Sequence, residues 1–254
     1  MRLWVMSDLH VILTRGWDLA PPAERPEFHV LIMAGELIPR AERGVRWLEE
    51  RVPDKPAIYV LGNHEAYGAD EARTVEKAMD AARGTKIYVL QNCAIPFGRN
   101  VRRSDVVDRL HAAGRHVRAM AIADKRMNDF KKIRTDRHKR PFRPANALFR
   151  HRQSRAFLEA EMGKSRGDRK LVIVTHHAPV PDAQHSRDYA QLTDEEILAA
   201  AYRSDLTALM GPQSIERKEN AAAGRCLDLR PYPRMLRKNF GMTRVVSNAK
   251  GRGP

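Results

Sequence analysis

A chain of 254 residues, 43% of them hydrophobic, is long enough to bury one large core, and residues 1–254 read as a single domain. Two cysteines, Cys93 and Cys226, exclude a disulfide framework and a cysteine-based metal site, and no apolar run approaches the ~20 residues of a membrane span. The net charge of +15 and the pI near 10.2 raise the expectation of non-specific nucleic-acid attraction, although the arginines crowd 99–118 and 217–244 without the interleaved aromatics of a stacking platform. No charged stretch followed by an apolar one precedes the first strand, so a cytoplasmic protein without a signal peptide is expected.

Leu3-Trp4-Val5-Met6 predicts a strand that closes on Ser7-Asp8-Leu9-His10. Residues 11–27 form a polar, proline-bearing loop whose Trp17 and Asp18 are expected at the rim of a site. Residues 29–35 predict a second strand ending at Gly35, with Glu36 next. Residues 43–51 are amphipathic, with Val45, Trp47 and Leu48 inward. A third strand, Ile58-Tyr59-Val60-Leu61, ends at Gly62, which turns the chain and presents Asn63, His64 and Glu65 together. An amide oxygen can ligate a metal, and an imidazole can ligate one or move a proton. A helix over 71–83, with Val75, Met79 and Ala82 on one side, precedes a strand over 86–90. This alternation predicts a parallel or mixed sheet covered by helices, with its site at the carboxyl ends of the strands.

Residues 100–118 lack a clean period, and 101–111 read as a short helix. Met120, Ile122, Met127 and Phe130 give 119–134 an irregular apolar stripe, and 135–146 read as a basic surface loop. Residues 147–162 predict a helix with Leu148, Ala156 and Leu158 inward and Arg150, Arg152 and Arg155 outward. A strand over 171–174 runs into Thr175-His176-His177-Ala178-Pro179. Thr193, with Glu196 three residues on, caps a helix expected over 193–209. The pattern then fails through 211–239, and a turn and strand follow over 241–248.

Taken in order, Asp8-Leu9-His10, Ala34-Gly35-Glu36, Gly62-Asn63-His64-Glu65 and His176-His177-Ala178-Pro179 resemble four of the five motifs of the calcineurin-like metallophosphoesterases. Glu36 stands where that family carries Asp. The fifth motif, Gly-His-x-His, is absent: none of the ten histidines lies beyond His185, and near the expected place stand only Cys226 and Asp228. The resemblance implies an α/β fold in which two mixed β-sheets pack face to face, flanked by helices. It implies hydrolysis of a phosphomonoester or phosphodiester by hydroxide generated at two divalent ions, for which mixed His, Asp and Asn ligation suits Mn, Fe or Zn. By the same resemblance Asp8 and His10 hold the first metal, Glu36 bridges, and Asn63 and His176 hold the second. His64 protonates the leaving group or holds the phosphate. Side chains alternate at a strand end, so only one of the two adjacent histidines faces the metals; the family pattern selects His176 and leaves His177 to pack or to touch substrate. Arg140 and Arg143 are in addition candidates to touch a phosphate. The longer Glu36 and the missing histidines imply weakened metal binding. A non-catalytic basic binding protein and a nuclease, both on this fold, are the alternatives.

The two segments without pattern, 100–118 and 211–239, share one explanation: a shifted reading frame. One permitted codon set for Leu227 to Met235, regrouped from its second base, reads Trp-Ile-Tyr-Gly-His-Thr-His-Glu. That is an apolar strand end followed by the missing fifth motif. The same regrouping of Arg103 to His111 can give Gly-Ala-Met-Leu-Trp-Thr-Asp-Phe, an apolar strand. On this reading the frame returns near Ala119 and near Phe240, and part of the arginine excess is an out-of-frame product.

Overall fold

Four short apolar segments pair side by side in chain order. β1 (Leu3–Met6), β2 (Val30–Ala34), β3 (Ala57–Val60) and β4 (Ile87–Leu90) form a parallel sheet of order β1-β2-β3-β4. The computed structural model describes residues 1–14, 17–96, 104–105, 116–165, 171–180, 192–210, 236–240 and 243–247. β2 and β3 are buried along their whole length, as central parallel strands are when both faces are covered. The two-residue alternation divides them. Leu31, Met33, Ala57 and Tyr59 join one core with Val45, Trp47 and Leu48, while Val30, Ile32, Ile58 and Val60 join another with Val174.

The first core lies under α1 (Ala41–Arg51), which packs on α2 (Glu71–Ala81). The second lies under β8 (Val174–Thr175), which pairs in parallel with β5 (Ser104–Asp105) and touches β2. Sheet against sheet with helices outside is the layering expected from the sequence; among the described residues the second sheet amounts to these two short strands. β5 falls where the sequence read a short helix. Most of 100–118 and 211–239 lies outside the described residues.

Beyond β4 the chain adds α3 (His116–Arg126), α4 (Asp129–Lys132) and a hairpin of β6 (Arg134–Thr135) with β7 (Arg140–Pro141). α5 (Pro144–Met162), α6 (Asp194–Ala199) and a final hairpin of β9 (Leu236–Phe240) with β10 (Thr243–Ser247) complete the described elements. α2 is capped by Asp70, whose carboxylate accepts from Arg73 N at 3.0 Å.

Several sequence expectations are corrected. In α2 the buried positions are Thr74 and Ala78, while Met79 is exposed. In α5 the buried positions are 144, 147, 151, 154, 158 and 161, and Ala156 is exposed. That spacing is a regular helical stripe, but His151, Ser154 and Glu161 occupy half of it, so a search for apolar periodicity misses it. The helix expected over 193–209 stops at Ala199, although Thr193 and Glu196 do form the expected reciprocal cap. It stops because residues 204–206 run beside 178–179, with Ser204 N donating to Ala178 O at 2.7 Å and Leu206 N to Pro179 O at 3.0 Å. Asp18 is not a rim residue. It accepts from Arg51 at 2.5 and 2.7 Å, at the far end of α1, about 15 Å of helix away from the strand ends.

Candidate metal centre

The loops that follow β1, β2 and β3 meet at one end of the sheet. Asp8 N donates to Gly35 O at 3.1 Å, His10 N to Glu36 O at 2.8 Å and Val11 N to Leu37 O at 3.0 Å, so the first two loops continue the ladder past the strands. This close zipping holds Asp8, His10 and Glu36 at φ of 55°, 45° and 57°. Such left-handed conformations cost roughly 1–3 kcal/mol each for residues with a side chain and persist where surrounding structure fixes them.

Two glycines make the approach possible. A Cβ on Gly35 would lie 2.4 Å from His176 Nδ1, and φ there is +85°. A Cβ on Gly62 would lie 2.9 Å from both Glu36 Cγ and His176 Nε2. The glycines that end β2 and β3 therefore do more than turn the chain. They let a buried carboxylate and a buried imidazole touch the backbone.

Glu36 is the centre of the cluster. Its carboxylate lies 2.7 Å from His10 Nε2, 3.5 Å from His176 Nε2 and 3.6 Å from His64 Nε2. Although it follows a turn, Glu36 is not a solvated residue, being only 9% exposed. Burial alone would raise its pKa, but the three imidazoles outweigh burial and hold the carboxyl far below the usual range. Asp8 is raised, by burial first and by the charge of Glu36, with His176 and His10 opposing. Burial pulls His176 down, yet its hydrogen bond to Glu36 and the charges of Glu36 and Asp8 push it up to about 10. His176 Nδ1 lies 2.9 Å from Ala34 O. A proton on Nδ1 satisfies that carbonyl and turns Nε2 toward the cluster, the usual arrangement of a ligating histidine.

Donor atoms of His10, Glu36 and His64 lie within 4.8 Å of one another, and so do those of Asp8, Glu36 and His176. These two triads share Glu36 but divide the side chains differently from the sequence expectation, which paired Asp8 with His10. Ligands about 2.1 Å from a tetrahedral ion stand about 3.4 Å apart, which the 2.7–3.6 Å spacings around Glu36 match. The residues present therefore fit divalent cations. His177, by contrast, is buried beside Tyr202, with ring centroids 6.4 Å apart, which leaves little of it for a substrate to touch.

Three residues at this site had no role in the sequence reading. Glu65, fully buried, accepts from Leu37 N at 2.7 Å, Gly62 N at 2.8 Å, Tyr59 OH at 2.9 Å and Glu36 N at 3.1 Å. It staples the loop after β3 to the loop after β2. Asp129 accepts from Asn63 Nδ2 and from Tyr67 OH, and the Tyr67 ring lies 4.3 Å from that of His64. Glu65 was visible as part of a motif, but its inward direction was not. Tyr67 lies two residues past the Gly62–Glu65 motif without belonging to it, and nothing near Asp129 in the sequence marks that residue as part of a site.

Glu65→Gln tests the staple. A neutral amide sets an N–H₂ among donors and forfeits charge-assisted bonds, an expected loss of about 3 kcal/mol. At roughly 2–4 °C per kcal/mol for a chain of this size, Tm should fall by about 6–12 °C by calorimetry.

A model of the calcineurin-like phosphoesterase family matches residues 1–210, most of the chain, and the chain belongs to that family. Its members are, in general, metal-dependent phosphoester hydrolases. No curated protein and no solved structure gives a significant match. Among the described residues no helix is long and apolar enough to cross a membrane.

The charge state of the cluster sets a pH dependence. A base raised in the folded state binds its proton more tightly there. The stabilisation from His176 is complete below about 6.5, its ordinary value, and is lost as pH rises toward about 10. A cation at Nε2 must displace that proton. Metal affinity should therefore rise from pH 6 to pH 9, with proton release in calorimetric titrations run in buffers of different ionisation enthalpy.

Proposed function

We propose that the chain hydrolyses a phosphomonoester or phosphodiester in a pocket for two divalent cations, Mn, Fe or Zn, built on Glu36. The single observation that carries this reading is the buried Glu36 carboxylate set among His10, His64 and His176. Bound cations would offset charge on the phosphoryl oxygens and lower the pKa of water. Glu36 would be shared, with Asp8 and His176 on one side and His10 on the other, and Asn63 would supply an amide oxygen. His64 would be the proton donor to the leaving oxygen. Its side chain is 16% exposed against 6% for His10 and 5% for His176, so it is the imidazole most open to a substrate. Without the two histidines of the fifth motif, cation affinity and turnover should both be low.

A polymeric phosphodiester is the second reading. Arg134, Arg137, Lys139 and Arg140 are exposed on the β6–β7 hairpin, and Lys132 Nζ sits 5.1 Å over the Tyr67 ring beside His64. This basic arm lies outside the two stretches without sequence pattern, 100–118 and 211–239.

The test is hydrolysis of p-nitrophenyl phosphate, bis-p-nitrophenyl phosphate and labelled single-stranded DNA with Mn at two salt concentrations. His64→Ala should lower turnover on the preferred ester by about 10²–10⁴. Retention of DNA that falls steeply with salt, together with its cleavage, selects the second reading. Turnover indifferent to both His64→Ala and Glu36→Ala would rule the site out.

A further inference from the structure

Asp129 stands outside every motif that marks this site, yet two of the site's side chains end on it. It is 2% exposed, at the start of α4. Its Oδ1 accepts from Asn63 Nδ2 at 2.8 Å and from Tyr67 OH at 2.5 Å, across 66 and 62 residues of chain. An ionised carboxylate can only accept, so the amide of Asn63 must turn its nitrogen toward Asp129. The amide is a rigid plane. Fixing its nitrogen also fixes its oxygen on the other branch, the atom an amide would offer to a cation. Without that anchor the amide can rotate and offer a cation two N–H groups instead. The same carboxylate oxygen holds Tyr67, whose ring lies against His64 at 4.3 Å and 32°. α4 is itself held in place, because Phe130 is buried with Ala66, Phe142 and Ala147.

We infer that Asp129 is a positioning residue: it fixes the Asn63 amide with its oxygen available to a divalent cation, and through Tyr67 it sets the ring of His64. The inference rests on the metal reading of the site. Groups of this kind behind a metal ligand typically change affinity about 10–100-fold when removed.

A double-mutant cycle on Co(II) binding tests it. Wild type, Asp129→Ala, Asn63→Ala and the double variant are titrated with Co(II), reading visible absorbance and binding heat, with melting temperature measured separately in chelator. Asp129→Ala and Asn63→Ala should each weaken Co(II) binding about 10–100-fold. The double variant should be no weaker than Asn63→Ala alone, because Asp129 acts through that amide. A merely structural Asp129 would lower the melting temperature without this non-additivity. Asp129→Asn keeps the volume and one acceptor, and covers the case in which the alanine variant does not fold; its affinity should lie between wild type and Asn63→Ala. Wild-type affinity in Asp129→Asn and Asp129→Ala, or effects that add in full, overturns the inference. A wild-type chain that takes up no Co(II) overturns the metal reading and the inference with it, and is distinguishable because it fails before any variant is compared.

Discussion

Gly62→Ala is expected to remove at least about 99% of activity and most cation binding while the sheet stays folded. The added Cβ would meet Glu36 Cγ, Glu36 N and His176 Nε2, each at 2.9 Å. Real Cβ atoms do not sit that close, so something must move. The backbone nitrogen of Glu36 cannot yield easily, because it donates to Glu65 at 3.1 Å. The ring of His176 cannot yield easily either, because Ala34 O holds its other nitrogen at 2.9 Å. What gives is the Glu36 carboxylate, the group both triads share. A displacement near 1 Å can cost about 10²-fold in rate, while overpacking of this kind costs about 1–3 kcal/mol of stability. Gly62 does not sit in the left-handed region, so alanine there tests contact and not conformation. Gly35 is the less clean site, because φ of +85° adds backbone strain to its clash with His176. Co(II) titration and a melting curve on Gly62→Ala separate the two effects. Intact cation affinity would show that Glu36 and His176 are not needed together.

Restoring the reading frame across 211–239 is expected to have the opposite effect, raising cation affinity by more than about a hundredfold. The regrouped codons for Leu227 to Met235 would supply two imidazoles as direct ligands, and groups one step further from a metal already carry about 10–100-fold. The gene decides whether this repair exists. Codons for Pro231 to Arg234 that cannot yield CAT and CAC one base on end the idea, and ordinary loops then stand in both segments. If the codons permit it, the chain repaired at both segments should bind two cations tightly and turn over an aryl phosphodiester briskly. An unchanged affinity after repair would show that the four motifs present make a complete site.

Much of the site was legible because its parts lie at strand ends. β2 and β3 carry unbroken apolar runs, each closed by a glycine, so their boundaries fell within a residue or two of 29–35 and 58–61. The five expected metal ligands and His64 then followed from motif order, and the structure brings Asp8, His10, Glu36, His64 and His176 into two triads that share Glu36. What the order could not show is direction. Glu65 follows His64 directly, yet it points inward, where it accepts from two N–H groups of the neighbouring loop, Glu36 and Leu37, and from Gly62 N of its own loop. The α5 stripe was hidden for a different reason. Its buried face carries His151, Ser154 and Glu161, and hydrophobic periodicity is blind to polar groups that are buried. Asp129 was out of reach altogether, since its partners lie more than sixty residues away and its own surroundings in sequence are ordinary.

The central claim is that Glu36 anchors a pocket for divalent cations. Equilibrium dialysis of the purified chain against Mn at pH 8, followed by elemental analysis, tests it most directly, with Glu36→Ala as the comparison. Up to about two Mn per wild-type chain, weakly held, with binding largely lost in Glu36→Ala, is the expected result. A wild-type chain that retains no Mn, or a Glu36→Ala chain that retains as much as wild type, would contradict it.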